Sequence, residues 1–377
     1  MSSNRLTSLD GLRGLAALVV LLYHSLLAVP VFAAAHSGEE IAPYLVPLAN
    51  TPLHFLWAGR EAVFVFFVLS GVVLTLPAAR GSRPVWRSYY PSRLIRLYLP
   101  VIASVLFALA LALTWSRAGA SSTPWIASHD EVLTPWGVAR DMLLVMGTSD
   151  LNSPLWSLQW EVIFSLLLPA YLLVTLRAKR LWWLTALLLA ACVPIGQILS
   201  VGALVYLPLF GFGCLLAAHF DTLNRWIDRL ESVTLGRWWR PIGLILAVLA
   251  LTSDWWLTPL SAALGRLTLL AAYVGAVLLV VIAWRPGGLA RVLNSRPFQI
   301  LGTLSFSLYL IHEPIVVSFG VSMPANMTWL VPVLAIPTSL AVSWLFYRWV
   351  EAPAHRLAKR VGRATRPAQP LEPSLRA

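Results

Sequence analysis

Two residues with chemical potential, Arg13 and His24, lie in an apolar segment near the start of the chain. In an α-helix eleven residues turn through about 1100°, three turns plus about 20°, so both side chains share one face. They are about 16 Å apart along the axis, roughly half the thickness of a membrane's hydrocarbon core. The spacing predicts Arg13 at the cytoplasmic mouth of a cavity and His24 near the midplane, where a neutral histidine suits general-base chemistry. The alternative is an anchoring arginine and a hydrogen-bonded core histidine.

Three more polar residues interrupt later apolar segments. Glu161 is about 10 Å into one segment, and His312 lies past the midplane of another, with Tyr309 one helical turn earlier on the same face. By depth, His24, Glu161 and His312 are expected to converge in the outer half of one cavity. Glu161, His312 or Tyr309 would then orient the base or pass on a proton. The alternatives are a packing contact for Glu161 and a membrane-interface position for His312.

Arg93 and Arg96 form an i,i+3 pair just before another apolar segment. Arginine suits phosphate recognition, because its planar guanidinium donates two parallel hydrogen bonds. The pair is therefore interpreted as a polyanion site for a nucleotide phosphate. The alternative is a topology signal, the interpretation given to the neighbouring Arg83 and Arg87.

The composition indicates the fold that must position these residues. Of the 377 residues 58% are hydrophobic and only 12% are charged, whereas soluble domains have about 25% charged residues. Apolar runs long enough to cross a bilayer recur along the whole chain. They predict an all-α, polytopic transmembrane helical bundle of about ten spans: 12–34, 61–79, 98–115, 154–176, 181–198, 201–219, 241–257, 263–284, 298–318 and 329–349.

The basic residues predict the orientation of the bundle. The chain has 28 Lys and Arg residues and a net charge of +12. An N-terminus inside the cell leaves four of them on the outer side: Arg60, Arg117, Arg140 and Arg266. This asymmetry predicts two cytoplasmic termini, and it explains the charge without a nucleic-acid partner. Only Lys179 and Lys359 are lysines, a bias that hints at a bacterial genome, so the predicted location is a bacterial plasma (inner) membrane. Residues 1–355 are predicted to form the membrane domain, and 356–377 a basic, disordered tail near lipid headgroups. The two cysteines indicate no metal site.

Six segments occur in an order that resembles the acyltransferase-3 family of membrane acyltransferases. They cover residues 5–355 and read LDGLRGLAALVVLLYH, FFVLSG, SRLIRLYLP, NSPLWSLQWE, SFSLYLIHEP and EAP. Many members have an acid two residues before the Phe pair; Phe64 stands there in this chain, and the nearest acid is Glu61. Members with a fused extracytoplasmic esterase-like domain pass the acyl group onward, and no such domain is visible in this chain.

The resemblance implies transfer of an acyl group, often acetyl, from acyl-CoA to a hydroxyl of a glycan, glycolipid or secondary metabolite. It implies that Arg13 and His24 are essential and that cytoplasmic arginines hold the donor. We therefore predict acyl-CoA phosphates near Arg13, Arg93 and Arg96, the thioester near His24 and no metal. An acyl-His24 relay stays open beside direct transfer, as does the oligomeric state.

Two functions from other classes remain as alternatives. A transporter or flippase of a lipid-linked sugar or small metabolite would also carry intramembrane His and Glu residues. Broken helices in two related halves are typical of transporters, and no such symmetry is visible. A non-catalytic scaffold predicts no buried polar cluster, which the Arg13–His24 face argues against.

Overall fold

The computed structural model describes residues 6–39, 41–119, 122–130, 133–144 and 146–365. Those residues form helices and connecting loops, with no β-strand. The first half contains α1 (Thr7–Leu27), α2 (Pro30–Ser37), α3 (Val46–Ala49), α4 (Gly59–Ala79), α5 (Trp86–Thr114), α6 (Pro124–Ala127), α7 (Pro135–Leu143), α8 (Leu155–Arg177) and α9 (Trp182–Leu199). The second half contains α10 (Gly202–Ala218), α11 (Phe220–Glu231), α12 (Trp239–Leu251), α13 (Ser253–Leu257), α14 (Ala262–Trp284), α15 (Gly288–Leu293), α16 (Arg296–Ser322), α17 (Leu330–Phe346) and α18 (Ala352–Ala364).

The predicted helical bundle is confirmed, although its number of spans is not fixed. Each predicted span overlaps a helix, but only eight described segments are long and apolar enough to cross a membrane. A ninth requires counting α10 together with α11, across a bend of 72°. The predicted span 241–257 coincides with α12 and α13, and α12 alone is a shorter apolar helix of 13 residues.

The α1 and α16 helices cross at very close range, and this crossing positions the polar residues of both. A Cβ atom on Gly302 would lie 2.3 Å from the backbone oxygen of Asp10, and one on Gly14 would lie 2.4 Å from the backbone nitrogen of Gly302. Glycines at the contact let two membrane helices approach until their backbones nearly touch. As a result, the polar residues of α1 directly face those of α16.

The bundle has two chemically distinct ends. One, the arginine end, holds Arg13, Arg93 and Arg96 around a single cavity. The other, the loop end, holds the C-terminus of α1 and the short helices α2 and α6. There the Thr123 hydroxyl donates a hydrogen bond to the backbone oxygen of Leu27, over 3.1 Å.

The C-terminal segment differs from its prediction where it is described. Residues 356–364 continue α18, which leaves α17 through a π-helical turn at Tyr347–Glu351 and packs against α5. The helix buries Ala354, Ala358 and Gly362. These small residues recur every four positions, so they form one face, and the Ser88 hydroxyl donates to the Gly362 carbonyl. Residues 366–377 of the predicted tail lie outside the described residues.

Candidate active site

His24 and His312 form the centre of the site, because the α1–α16 crossing brings the two rings together. Nδ1 of His24 lies 2.8 Å from Nε2 of His312, and the ring centroids are 5.1 Å apart. Nδ1 of His312 lies 2.9 Å from the Leu308 carbonyl oxygen. His312 is fully buried. The predicted proximity of these two histidines is therefore present in the structure.

These contacts determine where the protons sit on two neutral rings. A carbonyl oxygen only accepts hydrogen bonds, so Nδ1 of His312 carries a proton and donates to Leu308. Nε2 of a neutral His312 is then an acceptor, and Nδ1 of His24 must donate to it. The remaining nitrogen, Nε2 of His24, is left with a free lone pair and no hydrogen-bond partner within the described part of the chain. It has the electronic arrangement of a base or a nucleophile.

A loop segment covers His24 on the loop end. The Trp125 ring of α6 stacks on the His24 ring, with centroids 5.5 Å apart and planes inclined by 19°. Tyr23 flanks the same ring, at 5.0 Å between centroids. Two aromatic rings against the imidazole restrict its orientation and limit the approach of water.

Trp125 is held in place by a buried pair, His129 and Glu313. Nε2 of His129 lies 2.7 Å from Oε1 of Glu313, with 2% and 0% of the side chains exposed. Nδ1 of His129 faces the Trp125 carbonyl oxygen at 2.8 Å, and the Ser153 backbone N–H donates to the other Glu313 oxygen over 2.9 Å. Glu313 thus connects α16 to the connection 116–153 at two points, His129 and Ser153.

The protonation of this pair also follows from its partners. Both ring nitrogens of His129 face oxygen atoms, so a second proton must lie between Nε2 and the carboxylate. Burial opposes charge on this ring, but the Glu313 carboxylate outweighs burial and raises the pKa of His129. The arrangement is an imidazolium–carboxylate pair next to His312 in the sequence.

Tyr309 does not contact the His24 ring. Its hydroxyl is 2.6 Å from the Ser157 hydroxyl and 3.3 Å from the Pro154 carbonyl oxygen. The ring centroid of Tyr309 is 6.0 Å from that of His312. Tyr309 therefore joins α16 to the start of α8 beside the histidine pair.

Glu161 faces Arg93 and contacts neither histidine of the pair. Nη2 of Arg93 donates to Oε1 of Glu161 over 2.7 Å, and Nε of Arg93 donates to the Ser165 hydroxyl over 3.1 Å. The predicted convergence of Glu161 with His24 and His312 is thus absent from the contacts of the described residues. Depth along a helix places a residue in the bilayer but leaves its rotation about the helix axis open, and here α8 presents Glu161 to α5 instead.

The arginine end contains a cavity of about 930 Å³. Arg13, Arg93 and Arg96 all line it, as the sequence predicted for one binding site. Its other charged residues are Lys359, Arg363, Asp10 and Glu351. Basic groups outnumber acidic ones, so the cavity favours an anion. Its size is at the upper end of the range for ligand sites.

The three arginines of this cavity differ in availability. Arg93 is already paired with Glu161, whereas no ion pair or hydrogen bond engages Arg13 or Arg96 within the described ranges. Arg96 is also exposed in the cavity. Glu351 is buried in the same wall and accepts a hydrogen bond from the Ser307 hydroxyl over 2.5 Å. Arg13 and Arg96 are therefore the arginines with donors free for a ligand.

Comparison with known families decides the class of this protein. The family model described as "Acyltransferase domain", acyltransferase-3, matches residues 6–348. The chain belongs to the acyltransferase-3 family. It is accordingly an O-acyltransferase, and the predicted family and enzyme class are confirmed. No solved structure matches the chain.

Three similar proteins have names that describe acyl or O-acetyl transfer. The chain is 27% identical over 325 residues to the acyltransferase MdmB of Streptomyces mycarofaciens. This alignment covers 82% of the chain and 78% of MdmB. The chain is 26% identical over 382 residues to the putative peptidoglycan O-acetyltransferase YrhL of Bacillus subtilis, and 25% identical over 390 residues to the peptidoglycan O-acetyltransferase OatA of Listeria monocytogenes. These alignments cover 92% and 93% of this chain, but only 54% and 56% of the two relatives.

Sequence reasoning missed part of the site of this family member. Glu313 and Glu351 belong to the segments SFSLYLIHEP and EAP, but no role is predicted for either from the sequence. An acid inside an apolar segment is itself a signal of a polar partner. Trp125 and His129 gave no usable signal, because they lie in a long connection without periodicity, and only the folded chain brings them to His24 and Glu313.

Proposed function

We propose that this acyltransferase moves an acyl group, acetyl in the simplest case, from acyl-CoA to a hydroxyl of a glycan, glycolipid or secondary metabolite. The observation that carries the proposal is the hydrogen-bond chain from Leu308 through His312 to His24. It leaves Nε2 of His24 unprotonated, unpaired and held between aromatic rings.

The donor is placed at the arginine end. CoA is a polyanion with a long, thin arm, and the cavity there combines a large volume with free guanidinium groups of Arg13 and Arg96. Charge-assisted hydrogen bonds to phosphate are among the strongest available to a protein. Arg93, engaged by Glu161, contributes positive charge and shapes the wall. The thioester arm would extend along α1 towards His24, about 16 Å from Arg13.

His24 then acts as a general base. Its Nε2 takes the proton of the acceptor hydroxyl while the hydroxyl oxygen attacks the thioester carbonyl carbon, and the CoA sulfur leaves. His312 holds His24 in the required tautomer and stabilises the imidazolium that forms. A relay in which Nε2 of His24 itself attacks the thioester uses the same lone pair and remains an alternative order of events.

We place the arginine end and both termini in the cytoplasm of a bacterial inner membrane, which makes acyl-CoA accessible to the cavity and is consistent with the basic asymmetry. The transporter or flippase alternative is not favoured by family membership. Of the three relatives, the two named as peptidoglycan O-acetyltransferases suggest a glycan acceptor.

Release of free thiol from acetyl-CoA by protein purified in nanodiscs, together with mass spectrometry of the acceptor, tests the proposal. The informative variant is His24→Asn, because the asparagine side-chain nitrogen occupies the place of Nδ1 and still donates to His312, whereas the Nε2 base is lost. A general base contributes at least about 10²-fold, so His24→Asn and His24→Ala should both lose about that factor. His219→Asn, at a histidine that contacts neither member of the pair, is the matched control. An Asn variant above about a tenth of the wild-type rate would make His24 a packing residue.

A second experiment addresses the donor. Arg96→Ala should raise the acyl-CoA KM by about 10- to 150-fold, the equivalent of one hydrogen bond to a charged group. Arg83→Ala, an exposed arginine outside the cavity, should leave it unchanged. Equal KM values for the two variants would make Arg96 a topology signal alone.

A further inference from the structure

A second cavity lies at the loop end and is not used by the mechanism above. Its volume is about 510 Å³, within the range of ligand sites. Its walls come from α1, from α2 and the connection that follows it, from α4, and from α13 with the residues just after it. Tyr23 lines it, and the Tyr23 ring lies 5.0 Å from the ring of His24. The cavity is therefore one side chain away from the proposed base, on the side away from the arginine end.

The walls of this loop-end cavity are held by a network that spans distant parts of the chain. Nη2 of Arg60 donates to Oδ2 of Asp254 over 2.7 Å and to Oε1 of Glu61 over 3.0 Å. Thr258 and Thr268 donate to the other Asp254 oxygen, over 2.8 and 2.9 Å. These bonds fix α13 against α4, so the cavity is a built feature of the fold.

Aromatic rings form another part of the wall. The ring of Trp255 lines the cavity and stacks on the His54 ring, with centroids 3.8 Å apart and planes inclined by 18°. The His36 ring lies 5.8 Å from Trp255 and 5.5 Å from Tyr23. Flat, partly apolar faces beside hydrogen-bonding groups suit a ligand with both C–H and O–H surfaces.

Two polar groups in these walls lack partners among the residues that the structure describes. Oε2 of Glu61 has no hydrogen-bond donor, although only 2% of the side chain is exposed, and Nε1 of Trp255 has no acceptor. An unsatisfied buried polar group is costly. A ligand hydroxyl can donate to a carboxylate oxygen such as Oε2 of Glu61 and can accept from an indole N–H such as that of Trp255.

The charges of the cavity select against anions. Glu39, Glu61 and Asp254 line it, and Arg60 is its basic residue, already engaged by two of these carboxylates. The arginine-end cavity has the opposite balance. An anionic ligand would therefore meet net repulsion at the loop end, whereas a neutral polyhydroxyl compound would find acceptors and aromatic faces.

We infer that the loop-end cavity is the acceptor subsite of the enzyme and binds a neutral sugar ring next to His24. This inference rests on the proposed function. In it, Glu61 and Asp254 accept hydrogen bonds from sugar hydroxyls, Trp255 stacks on the ring, and Tyr23 separates the bound sugar from the imidazole. The reactive hydroxyl belongs to the part of the acceptor that passes Tyr23.

Direct binding tests the subsite without requiring turnover. Saturation-transfer NMR in nanodiscs, with an N-acetylglucosamine tetrasaccharide and maltotetraose as neutral probes, should detect binding of at least one of them. A galacturonic acid tetrasaccharide of equal length should bind about tenfold more weakly or not at all. Failure of both neutral probes to bind the wild type, or equal binding of the acidic one, would overturn the inference.

Variants locate the binding. Glu61→Gln and Trp255→Ala should each weaken the binding of the neutral probe by about tenfold or more. Trp183→Ala, an exposed tryptophan on α9, is the matched control. Glu61→Gln keeps the shape of the side chain, and the elution profile after heating shows whether each variant is folded. Unchanged binding in both folded variants would overturn the assignment.

Two outcomes distinguish a failure of the proposed function from a failure of the sugar subsite. If the neutral probe binds the cavity but no acyl group is transferred from acetyl-CoA to any acceptor, the proposed function fails and the sugar site stands. If acyl transfer occurs and both Glu61→Gln and Trp255→Ala keep the wild-type KM for the acceptor, the proposed function stands and this subsite is wrong.

Discussion

Replacing His312 separates a positioning role from a proton-transferring one. His312 accepts the Nδ1–H of His24 and is itself anchored to the Leu308 oxygen. In His312→Gln the side-chain oxygen occupies the place of Nε2 and still accepts from His24, but it cannot bind and release protons near neutral pH. In His312→Leu no acceptor remains, so the Nδ1–H of His24 is left without its partner.

The size of the difference follows from burial. His312 is 0% exposed, and a donor left unsatisfied in such a place costs about 1–3 kcal/mol. If that cost falls on the productive arrangement of His24, His312→Leu should lower kcat/KM for acyl transfer by about 5- to 160-fold. His312→Gln, which keeps the hydrogen bond, should stay within about tenfold of the wild type.

The assay is steady-state release of thiol from acetyl-CoA with a saturating acceptor, accompanied by thermal unfolding of each variant to remove effects on folding. Equal losses in the Gln and Leu variants, both beyond 10²-fold, would refute the positioning role. His312 would then transfer a proton itself, and the two histidines would have to be treated as a coupled pair.

Three other predictions follow from contacts at the edges of the site. Arg93→Ala and Glu161→Gln should be non-additive in thermal stability, with a coupling energy of about 0.5–3 kcal/mol in a double-mutant cycle; additive effects would mean that their 2.7 Å contact has no energetic weight. Glu313→Gln breaks a fully buried charge pair and should destabilise the protein by about 3–5 kcal/mol. It should also raise acceptor-independent hydrolysis of acetyl-CoA, because Glu313 holds the segment of Trp125 and His129 over His24. An unchanged hydrolysis rate would contradict a shielding role for this segment. Gly302→Leu should lower the yield of folded protein, because even its Cβ would lie 2.3 Å from the α1 backbone, whereas Gly288→Leu meets nothing within 4 Å and should fold; comparable yields by fluorescence-detected chromatography would contradict the close crossing.

Part of the fold could be predicted from the sequence, because a lipid bilayer requires each spanning segment to be apolar over a minimum length. In a lipid bilayer apolar length alone marks a helix, so α4 or α16 could be located without any knowledge of their neighbours. The same rule was weaker for α10 and α12, where a bend and a short apolar run leave the crossing undecided. The helical continuation of α18 beyond residue 355 was not predicted, although its apolar residues recur at helical spacing. That spacing predicts a helix but does not reveal that its small residues pack on α5.

The site shows a similar division. His24 and His312 were identified because polar residues are conspicuous in apolar helices, and the spacing of Arg13 and His24 fixed a shared face. Glu161 was placed at a depth, but its contact with Arg93 was not predicted, since depth does not determine which helix lies opposite. Its partner, Arg93, could be found only once α5 and α8 were packed together.

Because α1 is continuous, it fixes the distance between Arg13 and His24. Arg13 and His24 lie on one unbroken helix, which is pressed so closely against α16 that neither can slide without a backbone clash. Under the proposed mechanism, Arg13 binds the donor phosphate and His24 is the base. The separation of about 16 Å between these two residues is therefore fixed, and it selects donors by their length. A short activated acyl compound held by Arg13 would leave its carbonyl far from the imidazole. A donor can contact Arg13 with its charged group and His24 with its reactive carbon at the same time only if a long flexible arm separates the two.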